Sequence, residues 1–398
     1  MKEDFKLASL SHDGPGCDLD FLSPERARAI RDFHRSFPMY APTPLAHLPE
    51  TAKYLGLGDL YVKDESYRFG LNAFKVLGGS FAIGNYLAKR LGKDISDVSY
   101  DFLISPEAKQ RLGDLTFVTA TDGNHGRGVA WTANQFKQNS VVYMPKGSAQ
   151  ERLDNIRAEG SNASITELNY DDAVRLASRQ AEEQGWVLVQ DTAWEGYEDI
   201  PARIMQGYCT MGLEAYEQIP EKPTHIFLQA GVGSMAGAIA GLFAALYGED
   251  RPIVTIVEPS KADCIFRTAQ ANDGKLRFVA GDMDTIMAGL ACGEPCSIAW
   301  NVLKDHADHF ISCPDYVAAK GMRILGNPAG RDDRVISGES GASCFGCVAE
   351  IMTNPELTHI REKLALNETS RVLFFSTEGD TDRKHYKDIV WDGKFSSF

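Results

Sequence analysis

Between residues 226 and 247 the chain carries no charged side chain. A run of 22 residues is long enough to cross a bilayer, so it is either a membrane helix or a stretch buried inside a protein. Its internal order selects the second. Ile226-Phe-Leu-Gln229 reads as a short β-run, Gly231 and Gly233 as a turn, and the Ala-rich remainder with Gly237 and Gly241 as a buried helix. A buried strand feeding a buried helix is the unit of a parallel sheet covered on both faces, and no membrane partner is expected.

The same unit recurs along the chain. Short β-runs at 115–120, 140–144, 163–168 and 186–190 alternate with helical stretches near 126–137, 148–158 and 170–184. A second series has strands near 225–229, 253–257 and 371–376, with helices near 202–218, 234–247 and 339–353. Ahead of both lie the strand Leu60-Tyr-Val-Lys-Asp and a helix from Lys75 to about Leu91. The expected fold is α/β with two parallel-type sheets and flanking helices. A small domain at 84–188 is inserted into a large one built from 1–83 and 189–398, with the active site between them. A chain of 398 residues with 43% hydrophobic and 24% charged residues has the composition of such a globular protein.

Charge narrows the partners. With 41 Lys and Arg against 55 Asp and Glu, the net charge is −14, and a phosphate backbone or anionic membrane needs clustered cations instead. The amino terminus, Met1-Lys-Glu-Asp-Phe-Lys, shows no apolar signal region, so a cytoplasmic location is expected. Eight cysteines are too sparse for a disulfide framework. Cys344/Cys347 and Cys292/Cys296 lack the second CxxC of a zinc site, and no metal is expected. Cys264 and Cys292 flank expected active-site loops, which raises a disulfide between them as a hypothesis.

Four segments carry reactive groups. Lys75 opens an otherwise apolar helix, where the dipole disfavours a cation. Unless its stem reaches water, field and burial lower its pKa and make the amine a nucleophile; a surface lysine is the plain alternative. Thr121-Asp-Gly-Asn-His-Gly126 follows a strand and precedes a helix, placing donors at the carboxyl edge of a parallel sheet. An ordinary turn with a structural His125 would look the same. Gly231-Val-Gly-Ser-Met-Ala236 again joins a strand to a helix, whose amino-terminal N–H groups suit an anion. It also fits the dinucleotide pattern G-x-G-x-x-A, with Glu258 as a ribose-binding acid, so a nicotinamide oxidoreductase stays open. The fourth segment pairs Ser337-Gly-Glu-Ser-Gly341 with Ser376-Thr-Glu-Gly-Asp-Thr-Asp382, hydroxyls that could meet a ring nitrogen or merely cap a turn.

In this order the segments resemble the fold-type II pyridoxal-phosphate enzymes, the tryptophan synthase β and threonine dehydratase group. Within it the chain is similar to the diaminopropionate ammonia-lyases. The resemblance runs from about Tyr40 to Trp391. It rests on Lys63-Asp-Glu-Ser-Tyr-Arg-Phe-Gly-Leu-Asn-Ala-Phe-Lys75, Thr121-Asp-Gly-Asn-His-Gly-Arg-Gly-Val-Ala-Trp131, Tyr143-Met-Pro-Lys-Gly-Ser-Ala-Gln-Glu151, Gln190-Asp-Thr-Ala-Trp-Glu-Gly-Tyr197 and Ser376 to Asp382.

The resemblance implies that Lys75 forms the Schiff base with pyridoxal 5'-phosphate. It also implies that Asn124 reaches the phenolic oxygen, and that Gly231, Val232, Gly233, Ser234 and Met235 hold the phosphate. Ser376 or Thr377 would meet the ring nitrogen, leaving it unprotonated and the ring a weaker electron sink, suited to losing a good leaving group. Asp122 stands where simple serine and threonine dehydratases of the group carry a small residue or hydroxyl, and suggests a second base. Lys75 would then take the Cα proton of the L-isomer and Asp122 that of the D-isomer. Thr121, Gly123, His125 and Asp191 would contact substrate, with Asp191 holding its extra ammonium. The implied reaction is α,β-elimination of D- and L-2,3-diaminopropionate to pyruvate and two ammonia by a homodimer. A serine or threonine dehydratase shares nearly all these parts and remains the alternative.

Overall fold

The computed structural model describes residues 5–12, 14, 16–121 and 123–396. Asp122 lies outside them. By packing, the chain forms two compact units: Met1–Leu19, Thr43–Tyr67 and Met211–Phe398 in one, Asp20–Pro42 and Arg68–Thr210 in the other.

The first unit holds seven strands: β1 (Lys6–Ser9), β2 (Leu45–His47), β3 (Asp59–Asp64), β8 (His225–Gln229), β9 (Ile253–Pro259), β10 (His309–Cys313) and β11 (Arg371–Ser376). The second unit holds β4 (Thr116–Ala120), β5 (Asn139–Met144), β6 (Asn162–Ile165) and β7 (Val187–Leu188). The large sheet runs β1-β10-β9-β8-β11-β3-β2 and the small one β6-β5-β4-β7. Every pairing is parallel except those of the two edge strands β1 and β2. All five residues of β8 are buried, which is why that segment tolerates no alternation of polar side chains.

The charge-free run is resolved into β8, a glycine turn and the helix Ser234–Tyr247. Among the described residues no helix is long and apolar enough to cross a membrane. The structure adds β1, β2 and β10, which the sequence reading did not anticipate. It also shortens the strand expected at 186–190 to Val187–Leu188. The reason is local: Gln190 accepts from Ala120 N at 3.1 Å and donates to Ala120 O at 3.0 Å through its side-chain amide. A side chain thus continues the β4 edge where backbone pairing stops.

The unit borders also differ from the expected 84–188. Residues 68–83 pack with the small sheet because the helix Val76–Arg90 crosses the helix Asn124–Gln135 at glycines. A methyl group on Gly128 would sit 2.9 Å from Val76 Cα, too close for two helices carrying side chains there. That contact holds the Lys75 end of one helix against the other helix.

Candidate functional site

In the second unit Lys75 occupies the residue just before the helix Val76–Arg90. Its Nζ lies 2.9 Å from Asp191 Oδ2, with the lysine side chain 18% and the aspartate 6% exposed. Burial pushes the Asp191 carboxyl up, but the charges of Lys75 and His125 and the lysine hydrogen bond outweigh it. The carboxyl is lowered to about 2 from its ordinary 3.8. Asp191 is therefore a carboxylate throughout the working range.

His125 is buried beside this pair, its Nδ1 4.0 Å from Asp191 Oδ2. Its Nε2 lies 2.8 Å from Val189 O. A carbonyl only accepts, so Nε2 carries a proton and the ring is held in place. Thr121 Oγ1 accepts from Gly123 N at 3.0 Å and Gly126 N at 3.2 Å, which folds the loop onto the start of the helix Asn124–Gln135. Asn124 opens that helix and is half-buried. Lys75, Thr121, Gly123, Asn124, His125 and Asp191 thus belong to one unit.

Two further groups surround Asp191 that sequence reading missed. The Tyr170 hydroxyl is 3.5 Å from Asp191 Oδ1 and accepts from Gln190 Nε2 at 3.0 Å. The Tyr197 hydroxyl donates to Leu188 O and accepts from Gln190 N, each at 2.9 Å. Burial raises that phenol far above its ordinary range, so it stays protonated. Tyr170 opens a helix that reads as plain surface, and no local signal marks it.

The first unit carries the glycine turn. Gly233 takes φ +96° as the cap of the helix Ser234–Tyr247, a conformation that favours glycine. A methyl group there would meet Ile265 Cδ1 at 2.6 Å, and one on Gly231 would meet Gly289 O at 3.2 Å. Ser234 and Met235, in the first turn, are buried. The turn is therefore a backbone surface at a helix amino terminus, a place whose N–H groups suit an anion. At the next strand end, Thr377 Oγ1 accepts from Gln229 Nε2 at 2.9 Å. Ser376 Oγ lies 2.8 Å from Ser337 Oγ.

The dinucleotide reading fails at Glu258. Its carboxyl is buried and accepts from Ile265 N at 2.9 Å and Phe266 N at 2.5 Å. It caps the helix Cys264–Ala271 instead of facing a ribose. None of the eight cysteines is in a disulfide, so the Cys264–Cys292 bond is not formed in the structure. Among the described residues no group of three or more His, Cys, Asp or Glu is arranged to hold a metal.

Comparison with known proteins supplies the family. The family model described as pyridoxal-phosphate dependent enzyme matches residues 37–366. The chain is 52% identical over 386 residues to the diaminopropionate ammonia-lyase of Salmonella typhimurium, covering 96% of each. Its structure is similar to holo diaminopropionate ammonia lyase from Escherichia coli. The TM-score is 0.93 at 47% identity, covering 100% of this chain and 99% of that one. The same enzyme in complex with an aminoacrylate-PLP azomethine reaction intermediate gives a TM-score of 0.91 at 47% identity, with 99% and 98% covered.

Proposed function

Because the chain belongs to the family of pyridoxal-phosphate dependent enzymes, we propose that it eliminates ammonia from both D- and L-2,3-diaminopropionate, yielding pyruvate and two ammonia. The residues present suit the cofactor. The turn at Gly231, Val232 and Gly233, with Ser234 and Met235 behind it, offers a phosphate backbone N–H groups at a helix start. Asn124 would meet the phenolic oxygen and the Thr377 hydroxyl the ring nitrogen. When bound, pyridoxal phosphate supplies the electron sink that makes the Cα proton removable.

The observation that carries the choice of substrate is the pairing of Lys75 with the buried Asp191 at 2.9 Å. Lys75 cannot bond the cofactor and pair with Asp191 as an ammonium at once. The β-ammonium of diaminopropionate takes up that place, which serine, bearing a hydroxyl, does not fill. Asp191, ionised throughout the working range, holds that nitrogen protonated, so it leaves with the C–N electron pair as ammonia. Lys75, as the free amine, removes the Cα proton of the L-isomer, and Asp122 removes that of the D-isomer. Thr121 and Gly123 shape the loop that meets the substrate, and His125 keeps Asp191 in position.

Pyruvate formation from D- and L-diaminopropionate, compared with D- and L-serine, tests this reading. Both diaminopropionate isomers should react and exceed serine. A strong serine preference would overturn the substrate and leave the cofactor chemistry standing. We further infer a homodimer in the cytoplasm that binds neither nucleic acid nor membranes. Its net charge of −14 supports the last point, and sedimentation of the purified protein tests the first.

A further inference from the structure

Gln229 ends β8 just ahead of the glycine turn and is buried, with its side-chain amide reaching β11. Nε2 lies 2.9 Å from Phe375 O and 2.9 Å from Thr377 Oγ1. A peptide carbonyl accepts and never donates, so the atom facing Phe375 O must be the amide nitrogen. The orientation of the amide follows from its partner. The amide oxygen is met by Cys344 Sγ at 3.4 Å. Burial raises that thiol well above its ordinary range, so it remains S–H and donates. The hydrogen bonds therefore run one way, from Cys344 to Gln229 and from Gln229 to Thr377.

That direction decides what Thr377 offers next. One lone pair of Oγ1 receives the Gln229 N–H, while the hydroxyl keeps its own proton to donate. A hydrogen bond received at oxygen polarises the O–H, strengthening it as a donor and weakening the remaining lone pair as an acceptor. A neutral ring nitrogen needs a donor, whereas a pyridinium N–H needs an acceptor. Ser376 does not compete, because its hydroxyl lies 2.8 Å from Ser337 Oγ and 3.4 Å from Glu378 O. Neighbouring side chains along an extended segment point to opposite faces.

We propose that Gln229 is a positioning residue that aims the Thr377 hydroxyl, so that Thr377 donates to the cofactor's ring nitrogen and holds it unprotonated. The proposal rests on the assignment of Thr377 to that nitrogen made above. Gln229 acts through Thr377, and the Cys344 thiol fixes the amide from behind. No charged group enters the relay, so the electronic state of the ring is set by hydrogen-bond direction.

The test is nitrogen NMR of the holoenzyme reconstituted with pyridoxal phosphate labelled at the ring nitrogen, together with cofactor affinity. The wild type should show a neutral, hydrogen-bonded ring nitrogen. Gln229→Met should move the signal toward an unbonded pyridine and weaken cofactor binding about fivefold to tenfold, as for one lost hydrogen bond. Gln229→Glu keeps the volume and replaces Nε2 with oxygen. It should move the signal away from the wild-type position and serves if the Met variant does not fold. Thr377→Val should give the full shift, and adding Gln229→Met to it should add nothing. If Thr377→Val leaves the signal in place, the assignment of Thr377 falls and the relay with it. If Thr377→Val moves the signal but neither Gln229 variant does, the assignment stands and the relay is wrong. A pyridinium signal in the wild type overturns it as well.

Discussion

Lys75 and the buried Asp191 meet as an ion pair at 2.9 Å, whereas Gln229, Thr377 and Cys344 meet through neutral groups at 2.9 and 3.4 Å. The two clusters belong to different compact units and differ in what losing one member costs. Removing Lys75 strands the buried Asp191 carboxylate, a loss of up to several kcal/mol. Losing one neutral hydrogen bond costs about 1 kcal/mol. On the proposed roles, charge is kept where protons and an ammonium would be handled, and neutral donors where the cofactor would be held in one electronic state. This also explains how a chain of net charge −14 binds a phosphate. On the proposed reading glycine-turn amides would do the binding, so no basic patch is needed.

The comparison breaks first at Lys75. Lys75→Ala should lower turnover of both isomers by at least about 1000-fold, beyond the usual loss of a general base because the cofactor anchor goes too. It should also remove the visible band that borohydride bleaches in the wild type; retained turnover would refute the assignment. Asp191→Asn should cut kcat/KM for diaminopropionate about 100-fold while leaving cofactor affinity within about threefold. The reverse pattern in titration and steady-state assays would mean that the charged cluster holds the cofactor after all.

Asp122→Asn sharpens the division of labour within the charged cluster. The D-reaction should slow about 100-fold, the scale of general-base loss, with the L-reaction within about threefold. Equal losses in parallel assays would end the two-base scheme. Gly233→Ala probes the neutral side, because φ +96° and a contact at 2.6 Å both oppose a methyl group. About 1–2 kcal/mol of strain predicts roughly tenfold weaker cofactor binding by equilibrium dialysis, with kcat of the loaded enzyme nearly unchanged.

The last contrast is a pH dependence of stability. Asp191 has a lowered carboxyl, about 2 against an ordinary 3.8. Its contribution to stability is therefore present above the ordinary value and lost as pH falls through the lower one. In the cofactor-free chain this amounts to about 2 kcal/mol. Urea unfolding from pH 5 to pH 2 should show a steeper loss in wild type than in Asp191→Asn. Parallel curves would mean that the ion pair contributes nothing net.

Much of the architecture was legible because it is written in local patterns. Alternating β-runs and helices announced parallel sheets, and Lys75 stood out as a cation at a helix head. The edge strands β1 and β2 were not legible, since three or four residues carry too little periodicity to register. Gln190 passed as a strand residue because its side chain imitates a backbone pair. Glu258 looked like a ribose ligand because a sequence shows the acid but not the two N–H groups it caps. Tyr170 was missed because its hydroxyl reaches Asp191 from 21 residues away.

Read as a string, the chain specifies a buried parallel α/β protein and the residue types that carry its chemistry, since burial and periodicity are properties of neighbouring residues. It leaves open which of them meet. Lys75 and Asp191 are 116 residues apart, and only the fold brings Nζ within 2.9 Å of Oδ2. Ser376 and Thr377 are adjacent and chemically alike, and strand register assigns the first to Ser337 and the second to Gln229. A shift of one residue would exchange them, because side chains along a strand alternate between faces.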